Sequence, residues 1–394
     1  MLTTNTSKIL TFVGFYLPGY KSGGPLRTIV NMVDNLSDDF EFWIVTRDRD
    51  LGDSSPYADI QANQWLKVGV AMVYYLSPEN CTVRKIANLI ADTPYDVLYL
   101  NSFFEPIFTI KPLLARRFGW LPNKPVIVAP RGEFSMGAIK LKYLKKCIYI
   151  QIARLSHLYE SVIWQASSEY EMKDITRVMN ASRAAIHVAL DLPAHANLFF
   201  PSNAHAQSKS DDTELRVIFL SRVSPMKNLD YALRVLCKVH ARMIFDIYGP
   251  AEDPPYWQTC KELMKQLPAT VSVNYFGSVH PNQVSSILSR YDLFFLPTRG
   301  ENYGHVIAEA LSVGTPVLLS DQTPWRNLAA DRLGWELPLD DMDQFVRIID
   351  TYSDMAANEK LEWRQHILSK IAERLTNPQV FEANRELFRL AIHN

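Results

Sequence analysis

The stretch Asp292-Leu293-Phe294-Phe295-Leu296-Pro297-Thr298-Arg299-Gly300-Glu301-Asn302-Tyr303-Gly304-His305-Val306-Ile307-Ala308-Glu309-Ala310-Leu311-Ser312-Val313-Gly314-Thr315-Pro316-Val317-Leu318-Leu319 decides the reading of this chain. The run Asp292–Leu296 reads as a buried parallel strand, Gly304 opens a helix, and Gly314-Thr315-Pro316 stops that helix before the apolar run Val317–Leu319. A strand, a loop rich in polar residues, a helix and a second strand make a βαβ unit. The polar loop therefore sits at a strand's carboxyl end, where open α/β sheets bind ligands. A helix beginning near Gly304 turns free backbone N–H groups toward an anion such as a diphosphate. Glu301 on the loop and Glu309 on the helix are placed to accept hydrogen bonds from different pairs of hydroxyls.

Outward from this unit the same alternation of apolar runs and helical-period segments fills almost the whole chain, the pattern of parallel α/β sheets. One series has strands at Ile9–Gly14, Phe42–Val45, Val97–Leu100, Val126–Ala129 and Val162–Ala166. Its first helix carries Leu26, Ile29, Val30, Val33 and Leu36 on one face, with Pro25 in the first turn. A second series has strands at Leu215–Leu220, Met243–Tyr248, Val271–Phe276, Leu293–Leu296 and Val317–Leu319. Between them the chain turns polar and aperiodic, which predicts a first domain at 1–195, a linker at 196–213 and a second domain at 214–377. Helical pattern runs from about Asp340, and Pro378 separates off a terminal helix at 378–394.

A chain of 394 residues suits two domains with separate cores. Its 47% apolar and 21% charged residues are ordinary for a globular protein, and a net charge of −1 excludes a general attraction to nucleic acid. Cys81, Cys147, Cys237 and Cys260 show neither zinc nor disulfide spacing, which fits a reducing cytoplasm. The N-terminus has no signal-peptide pattern, and no apolar run approaches a membrane span.

Cations for an anionic ligand come from Ser221-Arg222-Val223-Ser224-Pro225-Met226-Lys227-Asn228, the loop between a strand and a helix. Arginine grips in a fork and lysine acts as a point charge, so Arg222 and Lys227 suit a diphosphate. Near the start, Pro18-Gly19-Tyr20-Lys21-Ser22-Gly23-Gly24-Pro25 is a loop whose glycines let backbone approach a ligand. Asp48-Arg49-Asp50 has the spacing of an Asp-x-Asp metal motif, but it lies in the other half from Arg222 and Lys227, which already supply the charge. No metal is expected. From Lys140 to Glu160, lysines and Arg154 alternate with Leu141, Leu144, Ile148, Ile152 and Leu155. This predicts a basic amphipathic helix that either turns its apolar side to the core or lies on an anionic membrane.

Glu301, seven residues and Glu309, with Gly304 between them, resembles the signature of the retaining glycosyltransferases of the GT-B fold, in the large family 4. The pair Arg222 and Lys227 is similar to that family's grip on the donor diphosphate. The resemblance implies two Rossmann-like doubly wound domains with an interdomain cleft, the terminal helix crossing back to the first domain. It implies transfer of a sugar from a nucleoside diphosphate to a glycan or polyprenyl-linked glycan, with retention and with no metal or other cofactor. Glu301 then meets the donor sugar and Glu309 the ribose, while Arg222 and Lys227 carry the leaving group's charge. Gly304, Asn302, Tyr303 and His305 line the donor, and Gly23 and Gly24 face its diphosphate. Many relatives place a histidine in the region of Pro130-Arg131-Gly132-Glu133-Phe134, and this chain departs with Arg131 and Glu133 as sugar contacts. Asn101 and Glu105, at another strand end, become candidates for the acceptor. The wording of Gly300–Ile307 and of Ser320-Asp321-Gln322-Thr323-Pro324-Trp325 is similar to bacterial capsule, O-antigen and exopolysaccharide enzymes, cytoplasmic proteins that touch the inner face of the membrane. A sugar-nucleotide epimerase of the same fold, or a catalytically silent nucleotide-sugar binding module, fits the same residues.

Overall fold

The computed structural model describes residues 6–194 and 214–393. The chain divides into two compact units, Met1–Ala194 with Pro378–Asn394, and His195–Asn377. The linker expected at 196–213 lies outside the described residues.

The first unit is built on eight strands: β1 Ser7–Phe12, β2 Phe40–Arg47, β3 Trp65–Val68, β4 Ala71–Leu76, β5 Val97–Asn101, β6 Val126–Ala129, β7 Ile163–Ala166 and β8 Ile186–Val188. Their order is β3-β4-β2-β1-β5-β6-β7-β8. All neighbours are parallel except β3 with β4. The antiparallel hairpin and the short β8 were not foreseen. β3 is half-exposed along its length, so it lacks the continuous apolar run that marks a central strand. β5 and β6 are buried at every residue, as strands covered on both faces must be.

The helix Pro378–His393 completes this unit's core. Phe388 lies edge-on to Phe40, Phe42 and Tyr99, at 5.3, 6.1 and 5.4 Å between ring centroids. Leu387, Phe388 and Ala391 are buried with Ile9, Ile29, Val33 and Val97. Arg385 fixes the helix at its rim through Asp39 at 2.6 Å.

The second unit has six parallel strands: β9 Leu215–Leu220, β10 Met243–Tyr248, β11 Val271–Gly277, β12 Leu293–Leu296, β13 Val317–Ser320 and β14 Gly334–Leu337. Their order is β11-β10-β9-β12-β13-β14. The chain lays β9, β10 and β11 toward one edge and then returns to start β12 beside β9. The order therefore reverses between β9 and β12, and the carboxyl ends of strands at such a reversal are where open α/β sheets take ligands.

Residues 140–160 do not form one helix. The helices Met136–Lys140 and Tyr143–Leu155 are separated by Leu141 and by Lys142, which is left-handed at φ 60°. No helix among the described residues is long and apolar enough to cross a membrane.

Candidate functional site

The two loops at the order reversal are stitched together by backbone and one buried asparagine. Arg299 N donates to the Met226 carbonyl at 2.8 Å, and Thr298 Oγ1 donates to the same oxygen at 3.0 Å. Asn228 is left-handed at φ 63° and caps the helix Leu229–Leu236. Its Nδ2 donates to the Pro297 carbonyl at 2.9 Å, and its Oδ1 accepts from Arg299 Nε at 2.9 Å. Asparagine tolerates this backbone better than most residues, and only a side chain with a donor and an acceptor can make both bonds. The stitching brings Lys227 Nζ into direct contact with Glu301 Oε1, joining residues 74 apart in sequence. Both side chains are largely buried, at 13% and 11% exposure.

Arg222 lies one loop turn earlier and holds a different carboxylate, Glu252, at 3.2 Å. Its loop rests on the end of β10, where Val223 bridges Ala251. Gly249, at φ 131°, makes this possible: a Cβ there would stand 1.9 Å from the Ser221 carbonyl. Glu252 and Gly249 carried no signal in the sequence reading, because their partners lie about 30 residues away on another strand end.

Beyond Glu301 the chain is braced by the segment after β13. Glu301 N donates to the Gln322 carbonyl at 3.0 Å, and Trp325 Nε1 donates to the Tyr303 carbonyl at 2.6 Å. The Tyr303 ring stands 4.8 Å from His305 and 5.9 Å from Trp325, and Arg374 covers Trp325 at 4.8 Å. Asn302 is partly exposed in this loop. Gly304 is left-handed at φ 80° and caps the helix His305–Ser312, with its Cβ position 2.6 Å from the Ile307 Cδ1. Only glycine sits there without strain. His305 opens the helix, and Glu309 lies on its half-buried side, little more than one turn from the start.

In the first unit the glycine loop is also held from outside. The Asp50 carboxylate accepts from Tyr20 N at 2.8 Å and Lys21 N at 3.1 Å, and Lys21 Nζ reaches Asp53 at 2.6 Å. Gly23, at φ 66°, caps the helix Gly24–Leu36. Asp48 pairs with Arg49 at 2.8 Å. The Asp-x-Asp triplet thus braces loops, and among the described residues no group of three or more His, Cys, Asp or Glu is placed to hold a metal.

Arg131, Glu133, Asn101 and Glu105, the candidates for sugar and acceptor contact, each bond to groups within the first unit. Arg131, left-handed at φ 58°, contacts Asp191, Tyr99 Oη and, at 3.1 and 3.0 Å, Asn101 Oδ1. Burial opposes its charge, but Asp191, Tyr99 and Glu171 outweigh burial and hold the guanidinium pKa above its ordinary value. Asn101 is buried and its Nδ2 faces the Phe12 carbonyl. Glu133 accepts from Ser102 Oγ at 2.6 Å, Phe103 N at 2.6 Å and Phe104 N at 3.1 Å. Burial raises its pKa against the pull of those donors. Glu105 contacts Arg47 and caps the next turn through Ile107 N at 3.0 Å. Ser168 caps the helix Glu169–Met179 by accepting from Glu171 N at 3.1 Å, and the Glu171 carboxylate accepts from Gly132 N and from Ser167 N and Oγ.

Residues 202–366 match the family model described as Glycosyl transferases group 1. An uncharacterized 41.2 kDa protein in the cps region of Klebsiella pneumoniae is 24% identical over 271 residues, 68% of this chain and 72% of that one. The crystal structure of Anabaena HepE in complex with UDP and glucose aligns at a TM-score of 0.68 and 15% identity, over 98% of this chain and 100% of that one. WaaG, a glycosyltransferase involved in lipopolysaccharide biosynthesis, aligns at a TM-score of 0.65 and 12% identity, over 94% of this chain and 100% of that one. Likeness to solved structures at such identities speaks for fold, and the two doubly wound α/β units agree with it. The chain has the GT-B fold, and residues 202–366 are similar to the glycosyl transferases of group 1.

Proposed function

We propose that the protein is a retaining glycosyltransferase that moves a sugar from a nucleoside diphosphate to a glycan or polyprenyl-linked glycan in bacterial surface polysaccharide synthesis. The observation that carries this reading is the contact of Lys227 with Glu301 at the order reversal of the second sheet, within the residues similar to the glycosyl transferases of group 1. When a glycosyl bond to a diphosphate breaks, negative charge grows on the departing oxygen, and fixed cations nearby stabilise it. Lys227 and Arg222 supply that charge in the proposal. Each holds a carboxylate in this structure, so donor binding is an exchange of partners. The diphosphate takes Lys227 from Glu301, and the released carboxylate turns to the sugar hydroxyls. Glu309 receives the ribose, and Gly304 with the backbone of 302–305 meets the phosphates at the helix start. Gly23 and Gly24 keep their assignment as backbone contacts of the donor. Retention follows a front-face path in which the leaving phosphate helps to deprotonate the acceptor, with no protein nucleophile and no metal. The cps-region relative supports the polysaccharide pathway. A polyprenyl-linked acceptor places the protein in the cytoplasm at the inner face of the membrane.

The test is a panel of nucleoside diphosphate sugars, read first by thermal shift and then by nucleoside diphosphate release with and without glycan acceptors. A bound donor at a hundred times its dissociation constant adds roughly 2.7 kcal/mol of stability. Transfer that needs acceptor, keeps the anomeric configuration by NMR, survives EDTA and is lost in Glu301→Ala is the expected result. Isomerisation of the donor sugar without acceptor would make the protein an epimerase, and binding without turnover a silent module. Glu301→Ala turning over at the parent rate would remove the role given to Glu301.

A further inference from the structure

The helix Tyr143–Leu155 is inside out relative to a core helix. Its inward side is Lys146, Tyr149, Ile150 and Ala153: Lys146 Nζ donates to the Ala138 carbonyl at 2.8 Å and lies 4.8 Å from the Phe104 ring. Tyr149 Oη meets Tyr159 Oη at 2.9 Å, and only Ile150 and Ala153 are fully covered. Leu144, Ile148, Ile152 and Leu155, spaced by four, four and three, form the opposite side and are 71%, 52%, 58% and 80% exposed. A soluble helix normally buries such a row.

The row continues onto a neighbouring element. Arg117 Nε donates to the Ser156 carbonyl at 3.2 Å, and Arg116 Nη1 to the Glu160 carbonyl at 2.7 Å. These bonds set the end of the helix Lys111–Arg117 beside the end of Tyr143–Leu155. Just past it Phe118 and Trp120 are 57% and 45% exposed, with their rings 5.1 Å apart. Charge completes the pattern. Lys140, Lys142, Lys145, Arg154 and Arg117 are exposed around the apolar row, and no Asp or Glu occurs from Phe134 to Tyr159.

We infer that this face docks on an anionic lipid surface, with Leu144, Ile148, Ile152 and Leu155 entering the acyl boundary, Phe118 and Trp120 at headgroup depth, and the five cations on the headgroups. An exposed apolar row with five cations around it, and with Glu160 just beyond its far end, suits a plane of negative charge. A second copy of the chain would set the same cations against each other. The inference goes beyond glycosyl transfer, because partitioning is read without turnover and fails or holds separately from it.

The experiment is flotation of the full chain with vesicles of phosphatidylcholine alone or mixed with phosphatidylglycerol. Binding is expected only to the mixed vesicles, and high salt should release it. Each of Lys140→Gln, Lys142→Gln and Lys145→Gln should weaken partitioning about fivefold. Ile148→Ser/Ile152→Ser should weaken it more than tenfold, while thermal unfolding stays unchanged because both side chains are exposed. Equal binding to both vesicle types, binding to neither, or full binding by the serine variant overturns the inference. So does a dimer of the parent chain that dissociates in the serine variant, which would identify a second copy as the occupant.

Discussion

Glu301→Gln should make the protein bind a bare nucleoside diphosphate more tightly while destroying transfer. In the structure Lys227 already holds an anionic partner, and both side chains are largely shielded from water. A hydrogen bond to a charged group is worth roughly 1.5–3 kcal/mol and a neutral one about 0.5–1.5 kcal/mol. Glutamine keeps the shape and still accepts from Lys227, so the competitor weakens by about 1.4 kcal/mol. A diphosphate competing for the same ammonium gains that amount, a factor of about ten in affinity. Lys227→Met should do the reverse, weakening the nucleotide by about ten- to a hundredfold. In the Lys227→Met background the glutamine change should add nothing, since no ammonium is left to be contested. Titration calorimetry with the nucleoside diphosphate that stabilises the parent protein measures all four corners of this cycle. The reasoning is refuted if a folded Glu301→Gln protein binds no more tightly than the parent, or if its gain persists without Lys227.

Asn228→Gly keeps the left-handed backbone but drops the bonds to the Pro297 carbonyl and to Arg299. It should cost about 2 kcal/mol in urea unfolding and lower kcat by loosening Lys227 against Glu301, with Asn228→Ala costing about 1 kcal/mol more from backbone strain. Burial raises the pKa of Glu133, so its protonated form is favoured in the folded chain. Stability from this group is present below the ordinary carboxylate range and is lost as pH rises through the raised value; Glu133→Gln should flatten that slope in unfolding measured against pH.

The central strands were legible because full burial writes continuous apolar runs, as in β5, β6, β12 and β13. β3, β4, β8 and β14 were not, being short, at or near a sheet edge, or only partly buried. The site divides in the same way. Lys227 and Glu301 were readable because strand-end loops of a doubly wound sheet meet at its order reversal. The fate of Arg131 was not, since Asp191 lies 60 residues downstream and nothing local reveals a buried partner. Periodicity showed two sides to the helix Tyr143–Leu155, but only packing against Phe103 and Phe104 shows which of them faces inward.

The helix Pro378–His393 ties the timing of synthesis to the order of folding. Phe40, Phe42 and Tyr99 emerge from the ribosome early, yet their cover, Phe388, follows some three hundred residues later. During that interval the first sheet presents an uncapped aromatic surface, while the second unit already has every strand it needs. Nascent chains should therefore gain a protease-resistant second unit first, and a stop codon placed before Pro378 should leave the first unit dependent on chaperones.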